Sequence, residues 1–383
     1  MPWQETSPVD QRDRFITEYL RGLFSMTELC ARYGISRKSG YKWRGRYHEG
    51  GRAALRDRSR APHHCPHRMP AATAELLCQA RARHPDWGPE KLLQWLAPRH
   101  PGMDWPAVST VGELLTRRGL VRPRRRRRRR SPHPGTVAPS APAPNALWTA
   151  DFKGQFRTGD GCSCYPLTIA DQHSRYLLRC QGLPTPAGAD VRAVFRDAFR
   201  RYGLPRAIRT DNGVPFASPG LRGLSQLNVW WLRLGIQHQR IQPARPEQNG
   251  VHERMHRTLK AAVCRPPRGS LAAQQRAFNR FRVEFNTDRP HQALQGRPPA
   301  AVYRPSPRPY PETLPPLEYP GHFLVKRVTS AGTVRFKHRL LFVSHALKQH
   351  AIGLTETDDG IWSIYLGSVL LGRLNERDYR IRD

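Results

Sequence analysis

The sequence predicts a multidomain chain in which two all-α modules precede an α/β core and a small C-terminal β-domain. Apolar residues recur at helical spacing through residues 11–118, strand-like and helical segments alternate through 146–303, and short alternating strands with regular glycine turns fill 322–383. Strands that alternate with helices indicate an α/β layer around a mixed sheet. The C-terminal pattern is typical of a small antiparallel β-barrel.

Two proline-rich stretches set the predicted domain boundaries. Residues 131–145 contain five prolines and predict an extended, semi-rigid linker, and a second such stretch covers 304–320. We therefore predict helical domains at 1–60 and 68–122, an Arg/Pro-rich linker at 123–145, an α/β core at 146–303 and a β-domain at 321–383.

The charge of the chain predicts its partner. Its 383 residues include 64 Lys and Arg against 30 Asp and Glu, a net charge of +34. Residues 1–145 carry +16, 146–303 carry +14 and 304–383 carry +4. Each neutralised phosphate releases condensed counterions, so nucleic acid is the expected partner.

Other classes of protein are disfavoured by composition. Without a run of 18 apolar residues or an apolar N-terminal segment, we expect no membrane association and a cytoplasmic location. Seven cysteines without a CxxC pair argue against a disulfide framework and a zinc ribbon. The cluster of His63, His64, Cys65 and His67 is too closely spaced, and lacks a second ligand pair, for a zinc finger.

Seven consecutive arginines, Arg124 to Arg130, form the densest charge in the chain. Such a run repels itself and does not fold alone, so it is either a solvated linker or a phosphate-binding arm. We favour the phosphate-binding arm, because each phosphate that a clustered cation neutralises releases counterions and so increases the affinity for nucleic acid. The predicted DNA contacts in it are Arg124, Arg125 and Arg126.

Residues 11–48 predict three short helices. The first ends near Gly22, the second begins at Ser25 with a capping box to Glu28, and Ser36 caps a basic third helix after the turn at Gly34. This order is the helix-turn-helix pattern, whose last helix enters the major groove. A basic helical bundle that does not read sequence is the alternative. The residues predicted to contact DNA are Arg37, Lys38, Lys42 and Arg44.

A second helical set predicts another helix-turn-helix-like DNA-binding module. Its helices are expected over 72–84, 89–97 and 109–118, the last with a capping box between Thr110 and Glu113. Two tandem basic modules would span a longer DNA site than one. Its tryptophans are expected to fill the small core rather than stack on bases.

Three acidic residues of the core sit where strands end or a helix begins. Strands are predicted at 147–152, 164–180, 207–213 and 236–241, with helices at 189–202, 221–234 and after residue 250. Asp151 and Asp211 end strands, and Glu253 lies in the first turn of the last helix. Carboxylates that lie close together repel one another unless cations lie between them. Two Mg²⁺ ions in such a site stabilise the attacking and the leaving oxygen of an in-line phosphoryl transfer. Each acid alone could instead cap a helix or pair with a surface cation.

The motifs around these acids resemble those of the DDE transposase and retroviral integrase superfamily, and in particular bacterial insertion-sequence transposases. They are residues 148–151 (WTAD), 209–213 (RTDNG), 249–259 (NGVHERMHRTL) and 286–294 (NTDRPHQAL). The resemblance implies a ribonuclease-H-like integrase core in which Asp151, Asp211 and Glu253 are catalytic and hold two Mg²⁺ ions, with Mn²⁺ as an alternative. It also implies a nucleoid-associated transposase that binds terminal inverted repeats, cuts one strand and joins the 3′-hydroxyl to target DNA. The expected partners are double-stranded DNA, at element ends and target, and further copies of the chain, at least a dimer.

Two other acids compete for roles in the core. Glu247 precedes the last helix, but the acid of the resembled family belongs inside that helix, which favours Glu253. Asp171 resembles a recurring acid on the second strand, and we interpret it as structural. On the same helix, Arg254, Arg257 and Lys260 are predicted to bind DNA, and Lys260 matches a DNA-contacting lysine of the retroviral enzymes.

Two other functions stay open at this point. The first is a sequence-specific DNA-binding regulator derived from a transposase that has lost catalysis. The second is a structure-selective nuclease of the same fold. The β-domain, at +4, suits scaffolding or an interface between protomers at least as well as DNA binding.

Overall fold

The computed structural model describes residues 7–58, 69–121, 141–218, 220–241 and 250–382. The chain forms two compact units, Met1–Pro70 and Ala71–Asp383. Within the described ranges, no helix is long and apolar enough to cross a membrane.

The first unit is a three-helix bundle, as predicted. Its helices are α1 (Pro8–Leu20), α2 (Met26–Arg32) and α3 (Arg37–Gly50), followed by a 3-10 turn over Gly51–Leu55. Ser25 and Glu28 form the predicted capping box of α2, and the Ser36 side chain caps α3. The inner face of the bundle buries Phe15, Ile16, Leu29, Cys30 and Leu55.

The second helical set opens the larger unit with α4 (Ala71–Arg83), α5 (Pro89–Leu96) and α6 (Val108–Arg117). Trp87 and Trp95 are buried in it, as predicted. The predicted capping box of α6 is wrong. The helix begins at Val108, with Ala107 as its N-cap and no side-chain cap, so Thr110 lies inside the first turn and cannot cap it.

The core is a mixed sheet between helices. Its strands are β1 (Leu147–Phe152), β2 (Phe156–Arg157), β3 (Ser163–Asp171), β4 (Leu177–Leu183), β5 (Ala207–Thr210) and β6 (Gln237–Arg240). The order is β2-β3-β1-β5-β6, with β4 also paired to β3. β3 runs antiparallel to β1 and β4, whereas β1, β5 and β6 are parallel. The single strand predicted over 164–180 is therefore two strands joined by a turn.

Helices cover both faces of this sheet. They are α7 (Gly188–Tyr202), α8 (Gln226–Arg233), α9 (Gly250–Leu259), α10 (Leu271–Thr287) and α11 (Pro299–Val302), with a π-helical turn over Lys260–Cys264. Alternate side chains of β3 point to opposite faces. Leu167 and Ile169 join the cluster under α7 and α8, and Ala170 joins the cluster under α9 and α10.

The C-terminal region forms an open sheet, so the predicted β-barrel is not confirmed. Its strands are β7 (Leu324–Arg327), β8 (Thr333–Phe336), β9 (Arg339–Phe342), β10 (Ala351–Asp358), β11 (Ile361–Leu366), β12 (Val369–Asn375) and β13 (Arg380–Arg382). The five-stranded order β13-β12-β11-β10-β7 leaves its two edges apart, and β8 pairs with β9 alone. The apolar face packs against that hairpin and Val229 of α8 instead of closing on itself.

Candidate active site

The first two predicted acids lie at the ends of adjacent parallel strands. β1 and β5 pair with Leu147 opposite Ala207 and Thr149 opposite Arg209. The same register continued by two residues sets Asp151 opposite Asp211, the residue that follows β5. Neighbouring strands are about 4.8 Å apart, so the two backbones bring Asp151 and Asp211 to the same end of the sheet. Both residues are half-buried.

The loop after β5 holds Asp211 in place. The backbone N–H of Gly213 donates to Asp211 Oδ1 at 3.2 Å, and the Asn212 side chain donates to the carbonyl of Ile241 at 3.0 Å. A Cβ at position 213 would lie 3.2 Å from Asp211 Oδ2, so glycine leaves room for the carboxylate. Within the described part of the chain, no Lys, Arg or His forms an ion pair with Asp211.

Two buried histidines attach α9 to the sheet beside Asp151. His252 Nδ1 lies 2.8 Å from Thr149 Oγ1 on β1, and His252 Nε2 lies 2.6 Å from Thr168 Oγ1 on β3. His256 Nε2 lies 2.7 Å from the same Thr168 hydroxyl. Burial lowers the pKa of His252 to about 3, and burial with its neighbours His252 and Lys153 lowers that of His256 to about 2. Both rings are therefore neutral at physiological pH.

Hydroxyls and imidazole nitrogens form one network at this point of the sheet. Thr168 Oγ1 donates to the carbonyl of Asp151 at 3.1 Å, and Thr149 Oγ1 donates to the carbonyl of Ala170 at 3.4 Å. His256 Nδ1 lies 3.8 Å from Asp151 Oδ2.

Glu253, the third predicted acid, lies in the first turn of α9 between the two histidines in sequence. Its side chain is exposed, while His252 and His256 face inward. Arg254 and Arg257 are also exposed, and Lys260 begins the π-helical turn, half-buried. The histidines fix α9 on β1 and β3, but the described residues that group around Asp151 as possible ligands do not include Glu253.

The donor set fits a divalent cation. Asp151, His252 and His256 offer ligand atoms within 4.8 Å of one another. Both nitrogens of His252 contact threonine hydroxyls, and Asp211 is not a member of this group. Carboxylate oxygens are the ligands that Mg²⁺ prefers.

The predicted DNA contacts of the first unit lie on α3 with exposed side chains, whereas Gly40 of the same helix packs inward against Cys30 and Met26. Lys38 and Lys42 share one helix face, and the Arg44 guanidinium lies 5.2 Å from the ring centre of Tyr19. The exposed residues are Arg37, Lys38, Lys42 and Arg44. Arg124, Arg125, Arg126, the His63–Cys65–His67 cluster and Glu247 lie outside the described residues.

Asp171 has the structural role predicted for it. Its Oδ1 accepts the backbone N–H of Asn145 at 2.8 Å, and its Oδ2 accepts the backbone N–H and the hydroxyl of Ser174, at 2.8 and 2.6 Å. The carboxylate thus fixes the β3–β4 turn to the segment that enters β1.

The sequence reasoning missed the histidines and threonines of this site. His252 and His256 lie four positions apart on one helix and so share one helix face. That spacing is the sequence signal that could have identified them. Thr149 and Thr168 carry no such signal, because their partners are about a hundred residues away in the chain.

Known domain families match the α/β core and the N-terminal helical part of this chain. Integrase core domain families match residues 141–246 and 234–299. A helix-turn-helix domain family matches residues 11–63, and a homeodomain-like domain family matches residues 39–115.

Individual relatives come from insertion elements and retroviruses. An uncharacterized 39.2 kDa protein of insertion element IS476 from Xanthomonas euvesicatoria is 27% identical over 62% of this chain and 66% of its own length. An uncharacterized 31.7 kDa protein of IS407 from Burkholderia multivorans is 29% identical over 40% of this chain and 53% of its own. The chain thus spans less than two thirds of either relative. The Gag-Pol polyprotein of avian reticuloendotheliosis virus is 30% identical over 32% of this chain and 10% of its own length.

Solved structures with similarity to this chain are retroviral integrases. The HTLV-2 integrase catalytic core domain in complex with magnesium is 18% identical, with a TM-score of 0.34, over 43% of this chain and 99% of its own. The integrase chain of a simian T-cell lymphotropic virus intasome is 15% identical, with a TM-score of 0.38, over 78% of this chain and 97% of its own.

Proposed function

Because the chain belongs to the DDE transposase and retroviral integrase superfamily, we propose that it is a DNA transposase that acts on the ends of an insertion element. In this proposal it binds the terminal inverted repeats, cleaves one strand at each end and transfers the freed 3′-hydroxyl into target DNA. The reaction proceeds in the nucleoid.

The parallel register of β1 and β5 is the observation that carries the proposal. Continued past its last pair, this register brings Asp151 and Asp211 to the same end of the sheet, and we infer that the histidine contacts of α9 position Glu253 near them. Carboxylates from three separate elements repel one another unless cations lie between them. Their grouping inside a chain of net charge +34 favours a site reserved for cations and phosphate over a set of surface ion pairs.

We propose that Asp151, Asp211 and Glu253 hold two divalent ions, Mg²⁺ with Mn²⁺ as an alternative. Bound there, the ions would supply charge stabilisation at the attacking and leaving oxygens of an in-line displacement. The chain itself contributes alignment. Thr168 and the neutral histidines keep α9 and Asp151 in a fixed relation, and no covalent link between protein and DNA is needed.

DNA binding is assigned to basic residues outside the acidic edge, by which we mean the end of the sheet where Asp151, Asp211 and Glu253 are proposed to meet. The exposed face of α3 is proposed to enter the major groove, while Arg254, Arg257 and Lys260 track the strand next to Glu253. The 68–122 module and the arginine arm at 123–145 are proposed to extend this contact. An element has two ends, so at least a dimer is proposed for the synaptic complex.

Asp211→Asn tests the proposal. We expect the variant to lose strand transfer by at least a factor of about a thousand, because a neutral amide cannot hold the cations. Its binding to end DNA, measured by fluorescence anisotropy, should stay within about twofold of the unsubstituted chain. Asp190→Asn, an exposed acid on α7, is the matched control and should retain transfer. The substrate is a labelled duplex from the inverted repeats flanking the coding sequence, with Mg²⁺ and plasmid target.

Each other outcome points to a different function. Strand transfer that survives Asp211→Asn contradicts the assignment of the acids. Specific binding without nicking, in the unsubstituted chain with Mg²⁺ or Mn²⁺, indicates the DNA-binding regulator. Cleavage of branched DNA of any sequence without joining indicates the structure-selective nuclease.

A further inference from the structure

A cavity of about 430 Å³ lies behind the helix that carries Glu253. Four cationic side chains from four different segments line it: Lys91 of α5, Arg175 of the β3–β4 turn, Arg254 of α9 and Arg289 beyond α10. Asp171 is the one carboxylate that lines it. Both of its oxygens already accept hydrogen bonds from Asn145 and Ser174. The cavity therefore has a strong excess of positive charge.

Four cations crowd this cavity without a direct ion pair. Across the described ranges, none of Lys91, Arg175, Arg254 and Arg289 lies within 4.0 Å of a carboxylate oxygen. Arg254 is exposed and the other three are half-buried. Burial, with repulsion from Arg289 and Arg254, lowers the pKa of Lys91 to about 8, and Asp86 offsets part of the charge on Arg289. Like charges this close repel one another, and a bound anion would relieve that repulsion.

A fifth polar group points to the same ligand. His291 also lines the cavity, and its Nε2 is buried without a hydrogen-bond partner among the described residues. Burial, reinforced by Arg289, Lys91 and Arg175, lowers the pKa of His291 to about 3. The ring also donates to the backbone of Phe285, which places the proton of the neutral ring on Nδ1. Nε2 would donate to an anion oxygen in the protonated ring, which a bound anion favours.

The cavity depends on the second helical set being packed against the core. His84 of α4 lies 3.1 Å from Glu284, and Arg99, just beyond α5, lies 2.9 Å from Asp288. These contacts hold α5 against the end of α10 and so bring Lys91 to Arg289. A side chain of the predicted 68–122 module thereby completes a site whose other walls belong to the core.

The cavity adjoins the acidic edge. His252 lines it, and the same ring bonds to Thr149 and Thr168 beside Asp151. An anion in the cavity is thus separated from the Asp151 cluster by one side-chain layer. Met255 and Phe285 supply an apolar wall that suits a sugar or base edge.

We propose that this cavity, lined by Lys91, Arg175, Arg254, Arg289 and His291, binds a backbone phosphate of the DNA strand that is presented to the acidic edge. The proposal rests on the proposed function for the identity of the strand. It adds a specific role for the second helical set, which contributes Lys91 to hold the strand next to the site of chemistry.

The experiment compares two variants of the full chain in EDTA, so that no cleavage occurs. Lys91→Gln/Arg289→Gln removes two charges of the cavity, and Arg276→Gln removes one exposed charge of α10 outside it. The probe is a fluorescein-labelled duplex of random sequence, titrated at several salt concentrations. For the cavity variant we expect a Kd increased about tenfold and a salt slope lowered by about one. Arg276→Gln, the control, should change the Kd and the salt slope far less.

Thermal unfolding without DNA separates lost binding from misfolding. Removing two of the crowded like charges relieves repulsion, so the cavity variant should melt at the same or a higher temperature while binding DNA more weakly. If this double variant melts lower, the half-buried Lys91→Gln substitution alone is used, with the same expectations. A Kd and salt slope equal to those of the unsubstituted chain would overturn the proposal.

A second arm identifies the source of the phosphate. Inorganic phosphate that stabilises the unsubstituted chain but not the cavity variant, with DNA binding equal in both, would mean that the cavity takes free phosphate and would overturn the DNA proposal. The binding readout does not depend on catalysis. A chain that binds DNA through the cavity yet never transfers strands would therefore overturn the proposed function and leave this inference standing.

Discussion

The hydroxyl of Thr168 on β3 lies 2.7 Å from His256 Nε2 on α9. The same hydroxyl lies 2.6 Å from His252 Nε2 and donates to the carbonyl of Asp151 at 3.1 Å. One buried oxygen therefore joins a central strand, the strand that carries the first acid and the helix that carries the third. The relative position of Asp151 and Glu253 depends on it.

Thr168→Val should separate catalysis from DNA binding. Valine has nearly the shape of threonine but makes no hydrogen bond, so the two buried imidazole nitrogens beside it lose their partner. We expect the free energy of unfolding, measured in urea, to fall by about 2–6 kcal/mol, because each unsatisfied buried polar group costs about 1–3 kcal/mol. Strand transfer should fall at least about tenfold, while the Kd for end DNA stays unchanged.

Thr168→Ser is the matched control for this change. Serine keeps the hydroxyl and loses only a methyl group, so transfer should recover to within about threefold of the unsubstituted chain. Equal losses of transfer in the valine and serine variants would show that packing at this position matters and the hydroxyl does not.

Asp171→Ala tests the structural assignment of that acid. The substitution leaves the N–H groups of Asn145 and Ser174 without their buried acceptor. We expect a loss of about 2–6 kcal/mol in the free energy of unfolding, since each of the two buried N–H groups left without an acceptor costs about 1–3 kcal/mol. Transfer measured at a temperature where the variant is still folded should be retained.

The opposite pattern would contradict the assignment. A variant at position 171 with unchanged unfolding in urea and no strand transfer would place Asp171 among the residues that act on DNA. Asp211→Asn serves as the comparison, because it is expected to lose transfer with little change in stability.

Features that depend on near neighbours in sequence were predictable, and features that join distant segments were not. The capping box of Ser25 and Glu28 spans three residues and was predicted correctly. At Thr110 and Glu113 the same pattern occurs inside a helix, because packing sets the start of α6 at Val108. The open C-terminal sheet could not be foreseen, since its apolar face packs on Val229, far away in the chain. The cavity around Lys91 and Arg289 likewise joins residues nearly two hundred positions apart.

Two glycines of α3 should respond to alanine in opposite directions. A Cβ at Gly40 would lie 2.6 Å from Cys30 Sγ and 2.8 Å from Met26 Sδ, so this glycine allows the close approach of α3 to α2. Overpacking costs about 1–3 kcal/mol, more than the roughly 1 kcal/mol that alanine gains in a helix. A Cβ at Gly45 meets nothing within 4 Å.

We therefore expect Gly40→Ala to lower the unfolding temperature and Gly45→Ala to raise it, as measured by circular dichroism. Weaker end-DNA binding should accompany the first change, because α3 carries Lys38 and Lys42 on the face away from the contact. Equal shifts in the two variants would contradict the packing role of Gly40.

Buried neutral histidines should make the protein less stable in mild acid. Burial lowers the pKa of His238 to about 4, and that of His252 to about 3. A folded pKa below the unfolded value of 6.5 means that this stability is fully present above pH 6.5. It falls as the pH drops from 6.5 toward 4, because the unfolded chain binds the protons first. Each such histidine contributes a slope of about 1.4 kcal/mol per pH unit.

His238→Gln should make the free energy of unfolding depend less steeply on pH. The slope should fall by about the 1.4 kcal/mol per pH unit that one buried histidine contributes. Urea unfolding at pH 7.5, 6.5 and 5.5 measures the slope, and glutamine can still hydrogen-bond to Thr210, which lies 2.9 Å from His238 Nε2. His322→Gln, at an exposed position, is the control and should leave the slope unchanged. A slope unaltered by His238→Gln would mean that the ring is not held neutral by its burial against Trp231, whose ring centre lies 5.3 Å away.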